Sequence, residues 1–261
     1  MESIPIIFAI VFIVGGALAL FGYFIFLLVR YPYWYWIRSI EPERKIILER
    51  YFLYYRNLPQ KLKKRFENRA VLFIRSKDWY GQEGLEISEE MKVLIAATAV
   101  QITFGLKVYQ LPRFTKIFVY PHVYYNQQTK NYHKGEVYPL GKVIKLSWDN
   151  FLKGFSDPKD GINLGLHEMT HAMSLENQFA GNNAYGFISP RVYHRWEILA
   201  HEEIAYIKAG NKSLFREYAA TNLHEFLAVS IEVFFEQPNE FREYNLPLFK
   251  ETCDLLNQYP V

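Results

Sequence analysis

The apolar positions of this chain follow two different patterns. From Ile4 to Val29 they form one continuous run, whose only ionisable side chain is the phenol of Tyr23. Wound as a helix, this run would extend about 39 Å against roughly 30 Å of bilayer hydrocarbon, which predicts one tilted transmembrane helix over residues 4–29. A cleaved signal peptide would need a basic start and a shorter apolar stretch, whereas Glu2 precedes this one. Arg30, Arg38, Arg44 and Lys45 follow the run, so the bulk of the chain is expected on the cytoplasmic face. Tyr31, Tyr33, Trp34, Tyr35 and Trp36 make residues 30–42 a juxtamembrane segment with an aromatic belt at headgroup level.

From about Glu43 the apolar residues recur at helical spacing. Ile46, Ile47, Tyr51 and Tyr54 mark one stretch, and Leu62, Phe66, Val71 and Phe73 a second. The second carries Lys61, Lys63, Lys64, Arg65, Arg69, Arg75 and Lys77, read as a solvated helix face or a basic surface against anionic lipid. Ser88 with Glu89 and Glu90 signals a capped helix start running toward Gly105. β-forming residues then cluster at Lys116–Tyr120, about Tyr124, and Val143–Trp148. Helical spacing returns at Ile162–Leu175, Arg191–Ala209, Asn222–Phe235 and Asn239–Asn257, with Asn222 and Asn239 as expected N-caps and Pro238 closing the third helix. A small sheet followed by helices predicts an α+β domain over residues 43–261.

Composition narrows the classes. Hydrophobic residues make up 50% of the chain, enough for a full core. The net charge of +3 gives no reason to expect a nucleic-acid partner. A single cysteine, Cys253, excludes an internal disulfide and a cysteine-built zinc site.

The chemistry lies in His167-Glu-Met-Thr-His171. Residues i and i+4 share a helix face, so His167 and His171 can bind one Zn2+ together. Glu168, about 100° further round, reaches a water beside the ion rather than the ion itself, as a general base requires. Leu164 and Leu166 before the motif, with Ala172, Met173 and Leu175 after it, place the pattern inside an amphipathic helix. Ser174 and Asn177 stand where the extended form HExxHxxGxxH needs Gly and His, which excludes that subclass. Spacing leaves the third ligand open between His194, Glu197, His201, Glu202 and Glu203 on one helix and His224, Glu225, Glu232 and Glu236 on another.

From about Leu58 onward the chain resembles the Mlc titration factor A family of zinc-dependent peptidases. The resemblance rests on Ile87–Met91 with Ile95–Ala97, on Leu146–Asp149, on HEMTH itself, and above all on Tyr218–Asn222, Glu225-Phe226 and Glu232–Pro238. It implies a zincin-like fold, Glu225 as third metal ligand in a His2Glu site, and Tyr218 as hydrogen-bond donor to the oxyanion, beside Glu168 as catalytic base. Glu232, on the same helix face as Glu225, is expected either to support a ligand histidine or to be structural. Leu223-His224 stands where the family generally has Pro-Ala, and His224 is read as a bystander; Met173-Ser174 likewise replaces Leu-Asp. His122, His133, His194 and His201 are read as ordinary residues. The resulting expectation is a membrane-anchored zinc metallopeptidase acting on peptides or proteins, with Val143–Trp148 as a strand edge for extended substrate. The alternative is a non-catalytic tethered protein that captures a regulatory partner.

Overall fold

The computed structural model describes residues 12–27, 40–180 and 188–260, the side chain of residue 180 excepted. Residues 12–27 are helical (α1), with exposed apolar side chains that include Phe12, Leu18 and Phe21. Among the described residues no helix is long and apolar enough to cross a membrane. The rest of the span expected over 4–29, and most of segment 30–42, lie outside the described residues.

The domain opens with α2 (Pro42–Tyr51), α3 (Leu53–Asn57) and α4 (Gln60–Arg75). The centre of the fold is α5 (Glu89–Thr103), which begins where Ser88 accepts the Met91 N–H and is buried on nearly every side. Ala96 and Ala97 are fully buried there, small enough for close approach of α4 on one side and the motif helix α7 (Leu164–Ala180) on the other. Phe52, Tyr55, Phe66 and Phe104 form an aromatic cluster beside it, with centroids under 6 Å from Phe66.

The main sheet joins β1 (Asp78–Gly81), β2 (Lys116–Tyr120), β5 (Gly135–Tyr138) and β6 (Val143–Ser147) in the order β1-β2-β6-β5. The β1–β2 and β2–β6 pairs are parallel, and β5 runs antiparallel to β6. A hairpin of β3 (Tyr124–Asn126) and β4 (Asn131–His133) stands apart. This α+β architecture matches expectation, but the strand expected as a free edge does not. β6 is paired on both sides, so its backbone groups are committed, and the open edge on that side belongs to β5. Trp148 also leaves the sheet, as the first residue of α6 (Trp148–Ser156).

After α7 come α8 (Pro190–Lys208), α9 (Leu223–Glu236) and α10 (Pro238–Tyr244), with a 3-10 turn at Glu217–Thr221 before α9. The expected helix over 239–257 is two. Asn245 ends α10 and its side chain accepts the Leu248 N–H to start α11 (Leu246–Leu256). Asn239 lies inside α10 rather than capping it; Pro238 takes the first helical position after Gln237.

Two members of the basic run are not on a solvated face. Arg69 is buried and donates to the carbonyls of Thr103, Phe104 and Leu106, where α5 leaves its last acceptors unpaired. Lys77 is likewise buried against the carbonyls of Gln110 and Leu111. Cations with long apolar stems serve helix ends as readily as surfaces, and sequence periodicity does not distinguish the two.

Candidate metal centre

The site forms where α7 and α9 face each other. Asn163 starts α7, its Oδ1 accepting the Leu166 N–H at 3.0 Å and its carbonyl the His167 N–H at 2.9 Å. Gly165 lets α7 press on α6, since a Cβ there would lie 2.6 Å from the Phe151 ring. Asn222 starts α9 as expected, accepting the N–H groups of His224 and Glu225 at 2.9 and 3.0 Å. Each histidine of the motif and Glu225 therefore sits within the first turns of a capped helix.

His167, His171 and Glu225 converge. The two Nε2 atoms are 3.0 Å apart, and Glu225 Oε2 lies 3.1 Å from that of His167 and 3.5 Å from that of His171. The imidazole planes are nearly perpendicular, at 85°. Glu225 Oε2 is buried, yet no hydrogen bond of good geometry reaches it. Two nitrogen lone pairs and a carboxylate oxygen directed at one point repel unless a cation lies between them, and this donor set suits zinc. Among the described residues these three are the group of His, Cys, Asp and Glu side chains placed to hold an ion. The donors present therefore fit the metal that the sequence implies.

Behind this trio Glu232 is almost fully buried, and its Oε1 is 2.8 Å from His167 Nδ1. That contact favours a proton on Nδ1 and leaves the Nε2 lone pair pointing into the site. Arg216 holds Glu232 in a fork, at 2.7 Å to Oε1 and 3.2 Å to Oε2, and the Asn163 N–H adds a bond of 2.6 Å to Oε2. Of the two readings the sequence allowed for Glu232, the one supporting a ligand histidine matches this geometry. Glu232→Gln is expected to weaken zinc binding about 10- to 100-fold, as loss of such a partner does elsewhere; competition with a chromogenic chelator measures it.

Glu168 is buried next to the trio. Burial pushes its pKa up to about 7, against the lowering effect of the neighbouring histidines. Glu225 shows the opposite balance: burial opposes it, but the two imidazoles bring its pKa well below the carboxylate range. Gly135, at the start of β5, makes room for the Glu168 side chain. A Cβ there would stand 2.5 Å from Glu168 Oε1 and 2.6 Å from its Cγ. Tyr218, on the 3-10 turn, places its ring centroid 6.1 Å from that of His167 and is half exposed. Burial and then Glu225 raise its phenol to about 12, so it remains a hydrogen-bond donor at neutral pH.

The other histidines go elsewhere. His224 Nε2 faces Gln178 Nε2 at 3.4 Å, His122 lies 3.3 Å from Asp149, and His194 3.6 Å from Glu197. On the α8 helix, Glu203 accepts from Ser213, Tyr244 and Asn245 in a knot that ties α8 to α10. Sequence reasoning missed Gly135 and Arg216, because each acts through a partner far along the chain. Glycine opening a short β-run was the one signal available for the first.

Two histidines and a glutamate, with a buried glutamate beside them on a HExxH helix, define a metallopeptidase-type site in an α+β domain. Residues 35–256 match the family described as glucose-regulated metallo-peptidase M90, and the chain belongs to it. It is 24% identical over 242 residues to an uncharacterized protein of Synechocystis, covering 84% of this chain and 88% of that one. It is also 26% identical over 214 residues to Mlc titration factor A of Escherichia coli (74% and 77% covered). The corresponding Salmonella agona protein is 26% identical over 213 residues (73% and 77%). The resemblance found in the sequence thus agrees with the family match.

Proposed function

We propose that this chain is a zinc-dependent peptidase, with His167, His171 and Glu225 as metal ligands, Glu168 as general base and Tyr218 as oxyanion donor. The convergence of the three ligand atoms on one point, with the partnerless Glu225 oxygen among them, carries this reading. A zinc ion there would supply Lewis acidity and lower the pKa of a nearby water toward ~7. Glu168 takes the proton from the attacking water and passes it to the leaving amine. The Tyr218 phenol donates to the carbonyl oxygen as negative charge develops on it. Extended substrate pairs along the β5 edge, which adjoins Glu168 at Gly135, in place of the interior β6. Gly135→Ala is expected to crowd Glu168 and lower kcat about 10- to 100-fold while zinc content stays near one per chain. Equal turnover would remove β5 from the site.

We further place residues 4–29 as a membrane anchor with the domain on the cytoplasmic side, supported by the apolar length and the basic flank. A reporter fused after Val261 that is active only outside the cytoplasm overturns this orientation. The name of the relative Mlc titration factor A supports a regulatory protein as a second partner. Capture of such a partner by Glu168→Gln protein, with no hydrolysis of peptides by the wild type, would favour binding as the chain's main role.

A further inference from the structure

The turn that carries Tyr218 is short. Glu217–Thr221 makes five residues of 3-10 helix, begun where the Ala219 N–H bonds the Arg216 carbonyl at 2.9 Å and ended where Asn222 turns extended to cap α9. A single 3-10 turn has poorer hydrogen-bond geometry than an α-helix, so its position depends on what holds it from outside. The buried methyl groups of Ala219 and Ala220 anchor one side, while Tyr218 itself is half exposed.

Arg216, which starts the turn, joins it to both helices of the metal centre. Its Nη2 donates to Glu232 Oε1 at 2.7 Å, and its Nη1 to Glu232 Oε2 at 3.2 Å and to the Gly161 carbonyl at 2.8 Å. Glu232 belongs to α9 and contacts His167 at 2.8 Å; Gly161 lies two residues before Asn163, which starts α7. Among the described residues no other ion pair reaches the turn from α7 or α9. A guanidinium forked onto a buried carboxylate is fixed in its plane as well as its position. That fixed group lies 5.9 Å from the centroid of the Tyr218 ring, within reach of a cation–π contact. Glu232, by contrast, keeps the Asn163 N–H at 2.6 Å and His167 whether or not Arg216 is there. The turn therefore has more to lose with Arg216 than the ligand histidine has.

We propose that Arg216 is the positioning residue for the oxyanion donor: its fork on Glu232 ties the turn to the helices bearing the metal ligands, and its face orients the Tyr218 ring toward them. This rests on the peptidase reading of the site. The full chain is compared with Arg216→Lys, Tyr218→Phe and the double variant. Lysine keeps a cation beside buried Glu232 but loses the fork and the flat face. The first measurement is hydrogen exchange without metal. Amides of 217–221 should exchange about tenfold faster in Arg216→Lys than in wild type, with those of α5 unchanged. Equal exchange at the turn overturns the proposal, and so does an equal acceleration in α5, which would make the effect general.

The second measurement uses the cobalt(II)-loaded chain, titrated with acetohydroxamate and followed by its visible spectrum. The carbonyl oxygen of this small ligand accepts from a phenol as a developing oxyanion does. Its affinity should fall about tenfold in Arg216→Lys and about thirtyfold in Tyr218→Phe, with the double variant no weaker than Tyr218→Phe alone. Losses that multiply in the double variant show that Arg216 does not act through Tyr218. Cobalt affinity in Arg216→Lys should stay within about threefold of wild type, since support by Glu232 persists. A tenfold loss of cobalt instead assigns Arg216 to the ligand histidine and overturns its role at Tyr218. A wild-type chain that takes up no cobalt removes the metal reading itself, a result distinct from any change at the turn.

Discussion

Glu168→Gln should lower peptide hydrolysis by about a thousandfold while the purified chain still binds one zinc. The substitution is nearly isosteric and keeps a hydrogen-bonding side chain in the space left by Gly135. It removes the one property the reaction needs from that position, the ability to accept a proton. A thousandfold is about 4 kcal/mol of barrier, within the range of a lost general base combined with lost alignment of the water. The pH profile adds a second readout. Burial raises Glu168 to about 7 in the protein alone. A dication beside it favours the charged form and brings that value down. Wild-type kcat/KM should therefore fall as pH drops through a value below about 7, where the carboxylate becomes protonated, and the residual activity of the variant should lack that limb. Full activity in the variant at pH 7 would remove Glu168 from the mechanism. Metal loss in the variant would instead mean that it is a ligand.

Local chemistry in this chain was legible where one element sufficed to define it. The i, i+4 spacing of His167 and His171 inside an apolar setting required a helix, and α7 supplies it. Ser88 and Asn222 were readable as caps because the cap is set by the residue and its next three neighbours. What depended on distant parts of the chain was not legible in the same way. Spacing left two helices in contention for the third ligand, and only the family resemblance singled out Glu225, because which helix faces α7 is decided by packing. Strand order has the same origin: Val143–Ser147 has the apolar character of a strand, but nothing local says that β2 and β5 cover both its edges. The short strands β1, β4 and β5 carry too few residues for a period to register. Arg69 and Lys77 read as surface charge because their acceptors, the carbonyls near residues 103–111, come from other elements.

Glu225→Ala should abolish measurable zinc binding at micromolar metal, with the apparent affinity falling by at least a thousandfold. The change removes the only anion among three ligand atoms and leaves two imidazoles 3.0 Å apart, a pair that holds zinc poorly without a third donor. The fold should survive, because the Glu225 carboxylate faces the two imidazoles of the site rather than the hydrophobic core, and Asn222 still caps α9 through backbone groups. Thermal unfolding with and without zinc separates these effects. A metal present at a thousand times its Kd stabilises the folded wild type by about 4 kcal/mol, so its melting temperature rises on addition of zinc, and that of the variant does not. His224→Ala serves as the control: it faces Gln178, and its zinc shift should equal that of the wild type. The pH dependence of zinc uptake follows from His167. Burial opposes its charge, but Glu225 and Glu232 outweigh this and raise its pKa to about 10 without metal. With the folded value above the unfolded one, the protonated ring stabilises the metal-free fold fully below about 6.5, and the gain is lost as pH rises through the folded value. Zinc competes for the Nε2 that carries this proton, so wild-type affinity should weaken about tenfold per unit of pH as the solution is made more acidic across the neutral range. An affinity independent of pH between 6 and 8 would show that His167 is not a ligand.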